Sequence, residues 1–232
     1  MRADEESTEG IMAATFLVFV PFVLLQALQP PTPTGRCRLE VLTPLTMEAR
    51  AVAEFDEAIG RYVALHQQVD RVLPPERMFD DAEEMYAARE RHRALILAER
   101  PGIGQGNVFT RGVAQAFIDA LAFAIAECAH DPADILADIN AERLPGTPEP
   151  RVNGKYPWGL ASAMWPTLLQ VLPRLPEELE YRFSTRDLVL IDVHANIVVD
   201  ILENALPAPG CGVERPPAPG TPPAQPFGNG RR

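Results

Sequence analysis

The hydrophobic period of this chain changes once, and that change decides what it can fold into. Between residues 45 and 172 the large apolar side chains recur at spacings of three and four, whereas from Glu178 they alternate. The first period belongs to helices that bury one face, the second to half-buried strands. Helices gathered in one part of a chain and strands in the other predict an α+β fold, mainly α: a bundle of about four helices followed by a small antiparallel β-meander.

The first helix is predicted from Thr43 to Val72, capped by Thr43-Pro44, with Val52, Phe55, Ile59, Tyr62, Val63, His66 and Val69 on one stripe. Pro74-Pro75 ends it. A second helix starts at Asp80, with Glu83 as its capping-box partner, and stops at Pro101-Gly102. The third opens after Thr110, and from Val113 to Ala129 only Gln115, Asp119 and Glu127 interrupt its apolar surface, so it is expected to be the most buried. The fourth begins at Asp131-Pro132 and ends before Pro145-Gly146; a short helix follows around Pro166 to Leu172. The β element (178–203) offers three strands, Glu178–Phe183, Leu188–Asp192 and Ile197–Leu202, with Asn196 suited to a left-handed turn position. A competing reading has Asp192 cap a helix running to Leu206. A sheet this small needs helices packed on one face.

Around this domain, residues 45–206, the chain changes character. Residues 1–29 contain Ile11–Leu28, an apolar run without charge, and residues 30–44 form a Pro-rich linker. The run is short for a bilayer helix and a little long for a signal-peptide core. A cleaved secretory signal is the preferred reading, with Ala27 the best cleavage position. An uncleaved single-span anchor and a buried soluble helix are the alternatives. The acidic residues before the run and Arg36 and Arg38 after it run against the charge pattern of an exported chain. Residues 207–232 hold eight of the 24 prolines and almost nothing to bury, which predicts a disordered Pro/Gly-rich tail.

Charges in the terminal segments cancel, so the whole net charge of −11 falls within 45–206. A domain that acidic repels phosphate backbones and excludes nucleic acid as a partner. Membrane contact is expected only through the N-terminal segment, if uncleaved. Of the three cysteines, Cys37 and Cys211 flank the domain and form a possible disulfide, whereas Cys128 is expected to be a buried thiol.

Few constellations carry chemistry. Asp192 and His194, beside a strand pair, have the order of an Asp that orients a catalytic His, with Ser184 and Thr185 the nearest hydroxyls; a turn explains the same residues. Glu127 and His130 form a Glu-x-x-His pair, half of a di-iron motif, without a second copy. His66 lies on an apolar stripe and is read as a satisfied core histidine. The run Arg89–Arg93 reads as a solvated charged face, and Gly102-Ile-Gly-Gln-Gly106 as a loop between helices rather than a phosphate cradle, since no strand precedes it. No metal and no cofactor is expected.

The stretch Leu172–Leu206 (LPRLPEELEYRFSTRDLVLIDVHANIVVDILENAL), with Phe55–His66 and Gly104–Phe117, resembles a group of secreted bacterial proteins known only as hypothetical. The resemblance implies export and a helical body with a small β element, and brings no activity or functional residue. The expected function is that of a non-enzymatic exported envelope or interaction protein with an unidentified protein partner. The alternatives are a hydrolase using His194 and Asp192, and a helical module binding a small apolar ligand beneath the third helix.

Overall fold

The computed structural model describes residues 47–73, 81–141, 143–160 and 164–210. The N-terminal apolar segment, the Pro-rich linker, Cys37, Cys211 and the tail beyond Gly210 lie outside these residues. The chain divides into two units, Met1–Arg36 and Cys37–Arg232, and every described residue belongs to the second.

The elements follow in the order α1 (Ala49–Asp70), α2 (Ala82–Ala98), α3 (Arg111–Glu127), α4 (Pro132–Ala141), a 3₁₀ turn (Trp158–Leu160), α5 (Pro166–Leu169), β1 (Leu179–Ser184), β2 (Asp187–Asp192) and β3 (Ile197–Leu202). The fold is α+β and mainly α, with a terminal antiparallel meander in the order β1-β2-β3. Helix α1 begins at Ala49 rather than Thr43, which lies outside the described residues, and its N-cap Glu48 makes no side-chain cap bond. The cap of α2 is Asp81, one residue after the expected Asp80; its carboxylate accepts the N–H of Glu83 at 3.0 Å. Among the described residues no single helix is long and apolar enough to cross a membrane.

The core lies between the helices and one face of the sheet. Helix α3 contributes Val113, Phe117, Ala120, Leu121, Ala124 and Ile125, all buried. Phe117 packs on Phe55 of α1 (ring centroids 5.0 Å apart), Phe109 (5.3 Å) and Tyr181 of β1 (6.2 Å). Tilted and edge-on aromatic contacts of this kind join both helices, the preceding loop and the sheet in one cluster. The opposite sheet face is also covered: Tyr156 and Leu160, from the segment before α5, pack on Val189, Ile191, Val198 and Ile201. That segment pairs with the free edge of β3 as well, through Asn153 N–H to Val198 O (2.8 Å) and Val198 N–H to Gly154 O (2.9 Å).

Every residue of β3 is therefore buried. A strand covered on both faces loses its polar alternation, which is why its sequence also fitted a helix. The pairing of Asp192 with Ile197 and of Leu188 with Leu202 excludes the helical alternative. Asn196 adopts the left-handed conformation expected of it (φ 50°).

Cys128 corrects an expectation. It is the half-buried C-cap of α3 and is disulfide-bonded, not a buried thiol. The possible Cys37–Cys211 disulfide lies outside the described residues.

Candidate functional site

Two buried carboxylates organise the polar interior, and they do different work. Asp200 sits beside an irregularity in β3, where Val199 is left over between the pairs Ile191–Val198 and Leu190–Asp200. Such a bulge places two residues opposite one and re-aims a side chain. Asp200 turns towards the helices and accepts the backbone N–H groups of Gly106 (2.9 Å), Val108 (2.7 Å) and Phe109 (2.8 Å). The glycine-rich loop thus holds an anion after all, and the anion is the chain's own carboxylate. Arg100 supports the same bulge by donating to Val199 O at 3.0 Å, and to Asn153 Oδ1 at 3.2 Å.

Asp192, at the end of β2, is fully buried. One carboxylate oxygen accepts the backbone N–H groups of His194 (2.9 Å) and Ala195 (2.7 Å), the turn geometry that Asp favours. The other accepts the Tyr62 hydroxyl at 2.8 Å and lies 3.7 Å from Nδ1 of His66. Burial first, and then the negative Asp192, push the Tyr62 hydroxyl well above its ordinary range, so it stays a proton donor. The Arg100 guanidinium lies over the Tyr62 ring, 5.0 Å from its centroid.

The sequence-derived pair is rearranged by this geometry. Asp192 binds the main chain of His194, while the His194 ring meets the edge of His66, centroids 5.5 Å apart. Ser184 stands at the opposite end of the β1–β2 pair, opposite Asp187, whereas Asp192 faces Leu179. Five strand residues separate these ends, about 16 Å at the usual rise. The Ser184 hydroxyl instead meets the Glu149 carboxylate at 3.2 Å. Neither Ser184 nor the adjoining Thr185 can serve an Asp192–His194 pair.

Helix α3 ends at Glu127 and the chain reverses through Ala129 (φ 50°), so His130 lies beyond the helix that carries Glu127. His130 meets the Thr167 hydroxyl at 3.1 Å and the edge of Trp165; partial burial lowers its pKa.

The convergence that sequence reasoning missed lies around His66. Three of the chain's four histidines, His66, His92 and His194, meet there. Helix α1 presents Tyr62, His66 and Asp70 at four-residue steps on one face, as helical geometry requires. Helix α2 adds His92, whose ring lies 4.6 Å from that of His66. His92 corrects the reading of Arg89–Arg93 as a wholly solvated face: Arg89 and Arg91 are exposed, and His92 is buried. Burial first, and then the neighbouring His66, lower the His92 pKa, which favours its neutral form.

His66 is fully buried, as a core histidine should be, but it is not satisfied. Among the described residues neither of its ring nitrogens has a hydrogen-bond partner, and nor does Nε2 of His92. The Nε2 atom of His66 lies 3.9 Å from Asp70 Oδ2, and that of His92 lies 3.3 Å from Asp70 Oδ1. Asp70 is half exposed and opens the cluster to solvent. His66, Asp70 and His92 form the one group of donor residues among those described able to hold an ion, with ligand atoms all within 4.8 Å of one another. No protein family, curated protein or solved structure was found to match the chain.

Proposed function

We propose that the protein is an exported, non-enzymatic binding domain whose binding centre is the buried histidine cluster at the foot of α1. The observation that carries this reading is His66: a wholly buried imidazole with two unsatisfied nitrogens, beside a carboxylate that reaches solvent. An unsatisfied buried polar group costs about 1–3 kcal/mol, and such costs persist where a site needs the group for something else. A hydrolase reading lacks its nucleophile, since the hydroxyls expected to serve His194 stand at the far end of the sheet. An apolar ligand beneath α3 would have to displace Phe117, which is packed on three other aromatic rings. A protein-docking face rests only on exposed apolar side chains such as Val72, Met85, Tyr86 and Leu95, which no observation joins into one patch.

Export is supported by the uncharged apolar run Ile11–Leu28 and by the disulfide at Cys128, a bond that persists in oxidising compartments. The resemblance of Leu172–Leu206 to a group of secreted proteins agrees with it. The intact mass of the protein recovered from its host tests export: loss of about the first 27 residues is expected, and a full-length chain in the cytosol would refute it.

The binding centre is tested by His66→Leu in chelator-treated protein. A similar volume without polar atoms removes both orphan nitrogens and leaves Tyr62 on Asp192. The variant is expected to be at least as stable as the parent, gaining about 1 kcal/mol in urea unfolding. A loss of about 2 kcal/mol or more would make His66 a structural residue and end the binding reading.

A further inference from the structure

We propose that His66, Asp70 and His92 together bind one divalent transition-metal ion of the zinc class, with Asp192 as the residue that positions the His66 ring. This rests on reading the cluster as a binding centre and names its ligand. The donor set decides the chemical class. Two imidazoles and one carboxylate suit zinc and its neighbours, whereas calcium and magnesium require mostly oxygen ligands.

The distances suit one small ion. Ligand atoms around a tetrahedral zinc, each about 2.0–2.1 Å from the metal, stand about 3.3 Å apart. His92 Nε2 lies 3.3 Å from Asp70 Oδ1 and His66 Nε2 lies 3.9 Å from Asp70 Oδ2, and one donor atom of each residue falls within 4.8 Å of the others, so a small movement of the side chains would close the three about one ion. Nδ1 of His66 is 3.7 Å from Asp192 Oδ2, just beyond hydrogen-bond range, and on metal binding a small shift would let Asp192 hold an Nδ1–H proton while Nε2 carries its lone pair towards the ion. A carboxylate behind a ligating histidine fixes its tautomer and orientation in this way. Asp192 is itself held by Tyr62 and by two backbone N–H groups, so it is a rigid anchor.

Three protein ligands leave a fourth position, and half-exposed Asp70 sets it on the solvent side, where water or an external donor can complete the shell.

The test uses the full chain without an affinity tag, stripped with a chelator and titrated with Zn²⁺ against a chromophoric competitor, then with Co²⁺ as a spectroscopic probe. One ion per chain is expected, with a cobalt visible spectrum of four- or five-coordinate form and no thiolate charge-transfer band. Asp70 is half exposed and His92→Gln keeps a polar side chain at a buried site, so both variants should keep the fold, checked by circular dichroism. Each is expected to weaken zinc by about 100-fold or more, and Asp192→Asn by about 10–100-fold, the usual effect of losing an orienting carboxylate. Absence of zinc binding in the parent chain, or binding that Asp70→Ala and His92→Gln leave unchanged, would overturn the proposal. The two readings fail separately: a stabilised His66→Leu with no zinc uptake removes the metal alone, and a destabilised His66→Leu removes the binding centre itself.

Discussion

Replacing Asp200 with Ala is expected to destabilise the protein by about 4 kcal/mol or more, the largest effect of any single substitution argued from this fold. Its carboxylate is the acceptor for Gly106, Val108 and Phe109, and the latter two residues are buried, so water does not replace it. Hydrogen bonds to a charged group contribute about 1.5–3 kcal/mol each, and their loss leaves the donors desolvated. Domains of ordinary size have about 5–15 kcal/mol in total, so the variant should be near its unfolding transition at room temperature. The loop it holds carries Phe109 into the aromatic cluster with Phe55 and Phe117, which couples loop order to core packing. Asp200→Asn keeps one acceptor oxygen and should lose about half as much. Urea midpoints check both. A loss below about 1 kcal/mol for Asp200→Ala would mean that the loop is held by its apolar contacts alone.

Asp200 also shows what the sequence could not display. The near-continuous apolar run Ile197–Leu202 gives no sign that one residue is left over at Val199, and without that bulge Asp200 reads as an ordinary polar position on a strand. Its partners lie more than 90 positions away, in a stretch that reads in the sequence only as a loop between helices. The β1–β2 hairpin was legible because one face of β1 keeps its polar residues, and α3 because few polar residues break its surface. Both signals are local.

The binding centre was half legible. His66 and Asp70, one helical turn apart, already define one edge of it on α1. His92 repeats the spacing on α2, four residues before buried Ile96. Their convergence depends on how α2 lies against α1, which no local pattern specifies. Reading His66 as a satisfied core residue failed for a physical reason: the apolar stripe predicts burial, whereas satisfaction depends on partners contributed by other elements. Asp192 was singled out with His194, and the structure keeps the first of that pair at the centre in another role, facing Tyr62 and His66.

Tyr62 and Tyr181 make stability fall steeply in alkali. Both hydroxyls are pushed well above their ordinary range, first by burial and then by a nearby carboxylate, Asp192 for Tyr62 and Asp56 for Tyr181. In the unfolded chain each loses its proton near pH 10, whereas in the folded chain each keeps it. Above pH 10 the unfolded state therefore binds fewer protons than the native one, and stability falls as pH rises. Each tyrosine that keeps its proton in the folded chain removes up to about 1.4 kcal/mol per pH unit above pH 10. Tyr62→Phe should lose about 1 kcal/mol at pH 7, because Asp192 forfeits a donor, yet it should unfold less steeply with alkali than the parent. The difference between the two urea-stability curves reports Tyr62 together with Arg100, whose guanidinium lies over its ring. Parallel curves through pH 11 would mean that Tyr62 ionises in the folded state, and its hydroxyl would then be no fixed donor for the carboxylate that orients His66.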